Sequence, residues 1–194
     1  MKGIIVFVKN PELGKVKTRL AQTMGDVKAL EIYNKLVAYT RNVLLEFSGV
    51  EKFVFYSSFI DLDDEWNNDV FAKRLQTNGG LGEKMTSAFR AVFETCEKVV
   101  IIGSDCPQLK AIHIEKALNL LDKHNVVIGP SDDGGYYLLG MDRFYPFIFE
   151  GINWSTETVL SETLAIAKHQ NMSTALLEKL HDVDFEDDWN KYGF

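Results

Sequence analysis

The sequence predicts an α/β fold, a three-layer α/β/α sandwich built on a Rossmann-like, mainly parallel sheet. The first observation is a set of apolar runs rich in β-branched residues, each typical of a strand buried on both faces: Gly3–Val8, Lys98–Gly103 and Val126–Gly129. The second is that segments with apolar residues at helical spacing separate these runs. Alternating strands and helices favour a parallel sheet with helices packed on its faces.

Weaker patterns complete the order of elements. Asp26 is placed to cap a long helix whose apolar positions continue to Phe47. The run Asn78–Gly80 is a turn signal that precedes another helix. Further helices are expected at Leu81–Cys96, Ala111–Asp122, Glu157–His169 and from Phe185, and further strands at Val50–Tyr56, Arg74–Thr77, Tyr136–Gly140 and Ala175–Leu177.

Composition limits the classes of function. The 194 residues are 46% hydrophobic and no linker or repeat divides them, so residues 1–194 are expected to form one domain. A net charge of −7 disfavours general binding of nucleic acid or anionic membranes. The first apolar run is too short for a signal sequence, and no stretch approaches the ~20 apolar residues of a membrane span. With only Cys96 and Cys106 as cysteines, a cytoplasmic location is expected.

A basic segment follows the first predicted strand. Residues 9–19 hold Lys9, Lys15, Lys17 and Arg19 against one acidic residue, and Gly14 permits close approach of the backbone. In a parallel sheet this segment lies at the carboxyl edge, where open α/β folds bind ligands. Backbone N–H groups, lysine and arginine can hold phosphate oxygens, although neither a Walker A loop nor a dinucleotide motif fits. The segment is a candidate phosphate-binding loop, and a solvated basic loop is the alternative.

Carboxylates follow two other strands. Asp105 comes directly after the central strand Lys98–Gly103, and Asp184 follows the last predicted strand. A carboxylate that faces bound phosphates repels them unless a cation lies between, and Mg²⁺ joins carboxylates to phosphate oxygens in this way. The alternative for each aspartate is a helix cap.

Other polar residues are less specific. The turn Asp133-Gly134-Gly135 offers exposed N–H groups suited to hydroxyl or phosphate ligands, and a simple hairpin turn is the alternative. No pair of histidines has metal-ligand spacing, and His113 is expected on a helix surface. Cys106 is expected to be a packed thiol.

Taken together, these motifs resemble those of a bacterial glycosyltransferase-A-like family, the radical-SAM/selenodomain-associated transferases. The family is similar in fold to nucleotide-diphospho-sugar transferases, which include sugar-1-phosphate and molybdopterin-cofactor nucleotidyltransferases. The resemblance extends from Gly3 to Trp189 and rests on the ordered blocks Phe7-Val8-Lys9-Asn10-Pro11, Gly14-Lys15-Val16-Lys17-Thr18-Arg19-Leu20, Gly103-Ser104-Asp105-Cys106-Pro107, Gly129-Pro130 with Asp133-Gly134-Gly135-Tyr136-Tyr137, Trp154-Ser155-Thr156 and Asp182-Val183-Asp184.

The resemblance implies roles for individual residues. Segment 9–19 would take the place of the nucleotide-phosphate loop, Asp105 would match a metal-binding aspartate, and Asp184 a second ligand of Mg²⁺ or Mn²⁺. Asp133 is a candidate for orienting the acceptor or acting as a base. The candidate catalytic residues are therefore Lys17, Asp105 and Asp133, and the candidate substrate-binding residues are Lys9, Gly14, Lys15, Thr18, Arg19, Gly82, Gly134 and Gly135.

One departure from the family pattern bears on the reaction. Metal-dependent glycosyltransferases of this fold usually carry Asp-x-Asp where this chain has only Asp105, an arrangement more similar to that of nucleotidyltransferases. We therefore expect an Mg²⁺-dependent transferase of glycosyl or nucleotidyl type that acts on a nucleotide or nucleotide-sugar substrate and a further acceptor. The alternative is a non-catalytic module that binds a nucleotide or nucleotide sugar.

Overall fold

The computed structural model describes all 194 residues. The strands are β1 (Lys2–Val8), β2 (Glu51–Tyr56), β3 (Phe71–Leu75), β4 (Lys98–Ile102), β5 (Val126–Pro130), β6 (Tyr136–Met141) and β7 (Thr174–Leu176). The helices are α1 (Thr18–Met24), α2 (Asp26–Leu45), α3 (Leu81–Val92), α4 (Ala111–Leu120), α5 (Val159–His169) and α6 (Glu186–Tyr192), with a 3₁₀ helix at Pro146–Phe149. None of the helices combines the length and apolar character needed to cross a membrane.

All seven strands form one sheet in the order β3-β2-β1-β4-β6-β5-β7, and only β6 runs antiparallel to its neighbours. Successive side chains of a strand point to opposite faces, so Ile4 and Ile5 of β1 enter two different cores. Helices α2 and α4 cover the Ile4 face, while α3, α5 and the 3₁₀ helix cover the Ile5 face. This arrangement confirms the predicted α/β sandwich with a mainly parallel sheet.

The parallel strands bring distant loops to one edge. Val6 of β1 pairs with Ile102 of β4, so the loops that follow these two strands begin side by side. Ser131, just after β5, forms an isolated parallel bridge with Leu180, which lies beyond β7. The segments after β1, β4, β5 and β7 therefore meet at the carboxyl edge, as the sequence predicts for its candidate residues.

The region after the basic segment differs from expectation. Helix α1 forms where no helix is predicted, and it buries Leu20 against α2 and Val183. The prediction that Asp26 caps α2 is wrong, because Gly25, with φ +81°, separates the two helices and Asp26 is already the first residue of α2. The result matters for the site, since packing of Leu20 on Val183 holds the basic segment against the chain that carries Asp184.

The expectation that His113 lies on a helix surface is also wrong. His113 lies in the first turn of α4 and its side chain is buried. Its Nδ1 accepts a 2.9 Å hydrogen bond from the Lys110 N–H, and its Nε2 lies 3.0 Å from Glu178 Oε1. Burial lowers the pKa of His113, although the neighbouring Glu178 carboxylate opposes this effect. The imidazole caps the start of α4 in its neutral form, because protonation of Nδ1 would remove the acceptor.

Candidate active site

A buried lysine forms the centre of the site. Lys17 immediately precedes α1, and its side chain is 5% exposed. Its Nζ lies 2.9 Å from Asp105 Oδ1 and 3.8 Å from Asp184 Oδ1, and it donates a 2.6 Å hydrogen bond to the Val183 carbonyl oxygen. Three segments far apart in the sequence thus meet at one nitrogen atom.

Backbone contacts fix this meeting point. The Val183 N–H donates a 3.0 Å hydrogen bond to the Asp105 carbonyl, which ties the late segment to the loop after β4. Lys17 has φ +47°, a left-handed conformation that costs a non-glycine residue about 1–2 kcal/mol. The three contacts of its ammonium group help to hold this strained backbone, and strained residues of this kind are common at functional sites.

Arg19 provides the second cation of the cluster. Its Nη1 lies 3.1 Å from Asp184 Oδ2, the carboxylate oxygen that Lys17 does not approach. The arginine side chain is 59% exposed, so this pair adds little stability, but the guanidinium remains accessible to an anion.

Asp182 is a further carboxylate of the cluster that was not among the predicted site residues. Burial raises its pKa to about 7, and the negative charges of Asp105 and Asp133 add to the effect, while Lys17 opposes it. The only signal in the sequence was the alternation Asp182-Val183-Asp184, which turns both carboxyl groups to the same side of an extended segment.

The charges around Lys17 are already balanced. Asp105 and Asp184 pair with Lys17 and Arg19, and Asp182 is close enough for the Lys17 charge to affect its pKa. A polyphosphate that binds here therefore adds negative charge that a further cation would offset. No group of three or more His, Cys, Asp or Glu side chains is arranged to hold a metal ion.

Two carboxylates nevertheless suit Mg²⁺. This ion is held through one or two carboxylates, with water and substrate phosphates completing its shell. Asp105 and Asp184 offer hard oxygen donors around one nitrogen and therefore fit that pattern.

The predicted Asp-Gly-Gly turn is present after β5. Asp133 Oδ1 accepts hydrogen bonds from the Ser131 hydroxyl and, at 2.9 Å, from the Gly135 N–H, so this oxygen holds the turn together. Gly134 has φ +86°, and a Cβ there would lie 2.1 Å from the Glu157 carbonyl oxygen. Asp133 is near enough to affect the charge of Asp182, which places the turn beside the carboxylate cluster.

Other predicted binding residues lie on the basic segment but outside the Lys17 cluster. The exposed Lys15 forms a 2.7 Å ion pair with Glu12. Thr18 is exposed at the start of α1. Gly14 has φ +73° and lies near Asp26.

The start of the basic segment is held by a tyrosine of α2. Lys9 is exposed, but its N–H donates to Tyr33 Oη and its carbonyl accepts from the same hydroxyl, each at 2.7 Å. Asn10 is buried, and its amide oxygen accepts hydrogen bonds from the Ser58 and Phe59 N–H groups after β2. These hydrogen bonds fix the position of the first two residues of the basic segment.

Gly82 belongs to a separate concave region. A cavity of about 520 Å³ lies between α3 and the 3₁₀ helix, with Gly82, Arg90, Phe149 and Trp154 in its lining. A Cβ on Gly82 would lie 2.4 Å from the indole nitrogen of Trp154, so glycine permits this close packing. The prediction that Gly82 binds substrate thus concerns this cavity rather than the Lys17 cluster.

Cys106 is a packed thiol, as expected. It is 3% exposed, and burial raises its pKa to about 12. A thiol with this pKa is protonated near neutral pH and is a poor nucleophile.

Comparison with known proteins agrees with the fold. A model of the family described as "Uncharacterized protein conserved in bacteria (DUF2064)" matches residues 40–156. The crystal structure of a candidate nucleotide-diphospho-sugar transferase from Desulfovibrio desulfuricans G20 has a TM-score of 0.87 and 33% identity, covering 95% of this chain and 82% of that one. The inositol-1-phosphate CTP transferase of T. maritima shares the fold at a TM-score of 0.64 and 17% identity, covering 97% of this chain and 91% of that one.

The alignment with curated relatives covers a smaller part of each relative's sequence. The 2-phospho-L-lactate guanylyltransferase of Methanocaldococcus vulcanius is 25% identical over 143 residues, which is 70% of this chain and 60% of the relative. The chain spans about 60% of the length of the curated relatives it matches. These matches confirm the predicted resemblance to the nucleotide-diphospho-sugar transferase superfamily.

Proposed function

We propose that this chain, which belongs to the DUF2064 family of proteins conserved in bacteria, transfers a nucleotidyl group from a nucleoside triphosphate to a small acceptor, assisted by a divalent metal. The observation that carries this proposal is the meeting of Lys17, Asp105 and Asp184 around one nitrogen atom. Phosphoryl chemistry depends mainly on positioning and on neutralising charge, and cations beside metal-binding carboxylates serve both needs.

The proposed reaction exchanges one phosphoanhydride bond for a new bond to the acceptor. An acceptor oxygen attacks the α-phosphorus, a P–O bond forms, the bond to the bridging oxygen of the β-phosphate breaks, and pyrophosphate leaves. Lys17 and Arg19 offset the charge of the phosphates and of the leaving group. When bound by Asp105 and Asp184, Mg²⁺ would supply further positive charge beside the phosphates.

The turn after β5 is proposed to face the acceptor. Its shape is fixed by Asp133 Oδ1, which leaves Oδ2 of the same carboxyl group outside those hydrogen bonds. Asp133 Oδ2 can then orient an acceptor hydroxyl or accept its proton, the role expected from the sequence. Gly134 and Gly135 let the turn take this form beside Asp182.

The relatives support a nucleotide substrate. The Methanocaldococcus relatives are named as guanylyltransferases, which favours a nucleoside triphosphate as donor. A second candidate is sugar transfer from a nucleotide-diphospho-sugar, and the Desulfovibrio structure at 33% identity favours it. In that reaction the acceptor attacks the anomeric carbon and a nucleoside diphosphate leaves.

A ligand panel separates these possibilities. Thermal unfolding is measured with each nucleoside triphosphate and each common nucleotide sugar, with and without Mg²⁺. A ligand at 100 times its Kd stabilises the folded state by about 2.7 kcal/mol, and a triphosphate that does so only with Mg²⁺ is the expected result. Pyrophosphate release is then followed with the preferred triphosphate and a set of phosphorylated and hydroxyl acceptors.

Matched variants test the site. Asp105→Asn is expected to abolish Mg²⁺-dependent stabilisation and turnover. Asp122→Asn is the control, because Asp122 also pairs with a lysine, Lys98, but at the opposite edge of the sheet. Equal ligand effects in the wild type and Asp105→Asn would contradict the proposal, and tight binding without turnover of any acceptor would indicate the binding module instead.

A further inference from the structure

We propose that the Lys17 ammonium occupies the cation position between Asp105 and Asp184 in the free protein, so that a divalent metal enters this position only together with a nucleotide. The phosphates of that nucleotide would provide the new partner for Lys17. This inference rests on the proposed function, and it concerns the order in which the metal and the nucleotide bind.

The geometry of Lys17 supports its place as an internal cation. Its Nζ has both carboxylates and the Val183 carbonyl as oxygen neighbours, a set of oxygen atoms of the kind that a hard metal ion takes. The side chain is 5% exposed, so this charge is largely removed from water and depends on these partners. Lys17 is also the sole cation paired with Asp105, since Arg19 reaches only Asp184.

A divalent ion bound to the same two carboxylates would compete with this ammonium. Two positive groups would share one small space, and their repulsion opposes metal binding as long as Lys17 stays in place. Metal binding without nucleotide is therefore weak in the wild type.

A nucleotide changes this balance because it brings its own anionic oxygens. Lys17 then exchanges carboxylate partners for phosphate, which is a favourable partner for an ammonium group. Lys17 also has φ +47°, a left-handed conformation that lysine rarely adopts. The contacts of its ammonium group help to hold this strained backbone, and the strain can relax when phosphate replaces the carboxylates as its partner.

The test measures Mn²⁺ binding without nucleotide, from the electron paramagnetic resonance signal of free Mn²⁺. Lys17→Met is expected to bind Mn²⁺ at least about tenfold more tightly than the wild type, the scale on which one nearby charge alters binding of another charge. Lys28→Met is the matched control, because Lys28 is exposed, lies outside the candidate site and pairs only with Glu31. It loses the same net charge and is expected to bind Mn²⁺ as the wild type does.

A second variant guards against a folding defect. Lys17→Gly removes the same ammonium and suits the left-handed backbone, so it is expected to fold and to show the same gain. Adding Asp105→Asn to either Lys17 variant is expected to abolish the gain. In the wild type, calorimetry is expected to show a non-hydrolysable triphosphate binding at least about tenfold more tightly with Mn²⁺ than without it, and Asp105→Asn is expected to lose that difference.

The outcomes separate this inference from the proposed function. Mn²⁺ affinity that is unchanged or weaker in folded Lys17→Met and Lys17→Gly would overturn the competition between Lys17 and the metal. Wild-type protein that binds neither triphosphate nor nucleotide sugar would instead overturn the proposed function, whatever the metal affinity of the Lys17 variants.

Discussion

Removal of the Tyr33 hydroxyl is expected to loosen the basic segment at its first residue. This hydroxyl accepts from the Lys9 N–H and donates to the Lys9 carbonyl, each at 2.7 Å, and so holds both polar groups of one residue. Burial raises the pKa of Tyr33, and the Asp105 charge adds to the effect, so the hydroxyl keeps its proton at ordinary pH and remains a donor.

The magnitude follows from the number of hydrogen bonds lost. Tyr33→Phe removes two of them, each worth about 1 kcal/mol net, and leaves two partly buried backbone groups of Lys9 without a partner. We expect the free energy of unfolding to fall by about 2 kcal/mol. Tyr39→Phe is the control on the same helix, since its hydroxyl donates a single 2.7 Å hydrogen bond to the Leu109 carbonyl, and about 1 kcal/mol is expected there.

Urea unfolding gives both free energies, and isothermal calorimetry gives the affinity for the preferred nucleotide. Tyr33→Phe is expected to weaken nucleotide binding as well as stability, whereas Tyr39→Phe is expected to leave nucleotide binding unchanged. The reasoning is refuted if Tyr33→Phe loses no more stability than Tyr39→Phe and binds nucleotide as the wild type does.

Three further perturbations test other parts of the structure. Gly134→Ala is expected to cost more than about 2 kcal/mol in urea unfolding, because a Cβ would meet the Glu157 carbonyl and φ is positive; stability within experimental error of the wild type would contradict this. Burial lowers the pKa of His113, so the unfolded chain binds this proton more readily, and the free energy of unfolding should fall as pH drops below the ordinary histidine value of about 6.5. His113→Gln should flatten that decline, and an equally steep profile would show that other groups cause it. Arg19→Met should weaken nucleotide binding about tenfold and reduce its dependence on salt, while salt dependence equal to the wild type would exclude Arg19 from phosphate contact.

The main strands could be predicted because their composition leaves little choice. Three runs are too apolar and too rich in β-branched residues for an exposed structure: Gly3–Val8, Lys98–Gly103 and Val126–Gly129. They coincide with β1, β4 and β5, and their ends differ from those of the strands by at most one residue. Helix α1 was missed because only Leu20 of its seven residues is buried, so no apolar stripe marks it. The reversed direction of β6 also escaped prediction, since periodicity shows that a strand exists and not which way it runs.

The candidate site was predicted in outline and not in its contacts. Asp105 could be expected at the carboxyl edge of the sheet from its position directly after a predicted strand, because parallel strands end together at that edge. The burial of Lys17 could not be inferred in the same way, since a lysine in a basic segment is normally exposed and only tertiary contacts with Val183 and Asp184 reverse this. Asp182 was overlooked as a site residue for the same reason, because its burial depends on segments remote in sequence.

The central claim is that Lys17, Asp105 and Asp184 form one site for a metal and a nucleotide. Its most direct measurement is anomalous diffraction from crystals soaked with Mn²⁺ and a non-hydrolysable nucleoside triphosphate. We predict one anomalous peak in contact with both carboxylates and with phosphate oxygens, and Lys17 Nζ on a phosphate. A nucleotide bound elsewhere, or manganese in contact with neither carboxylate, would contradict the claim.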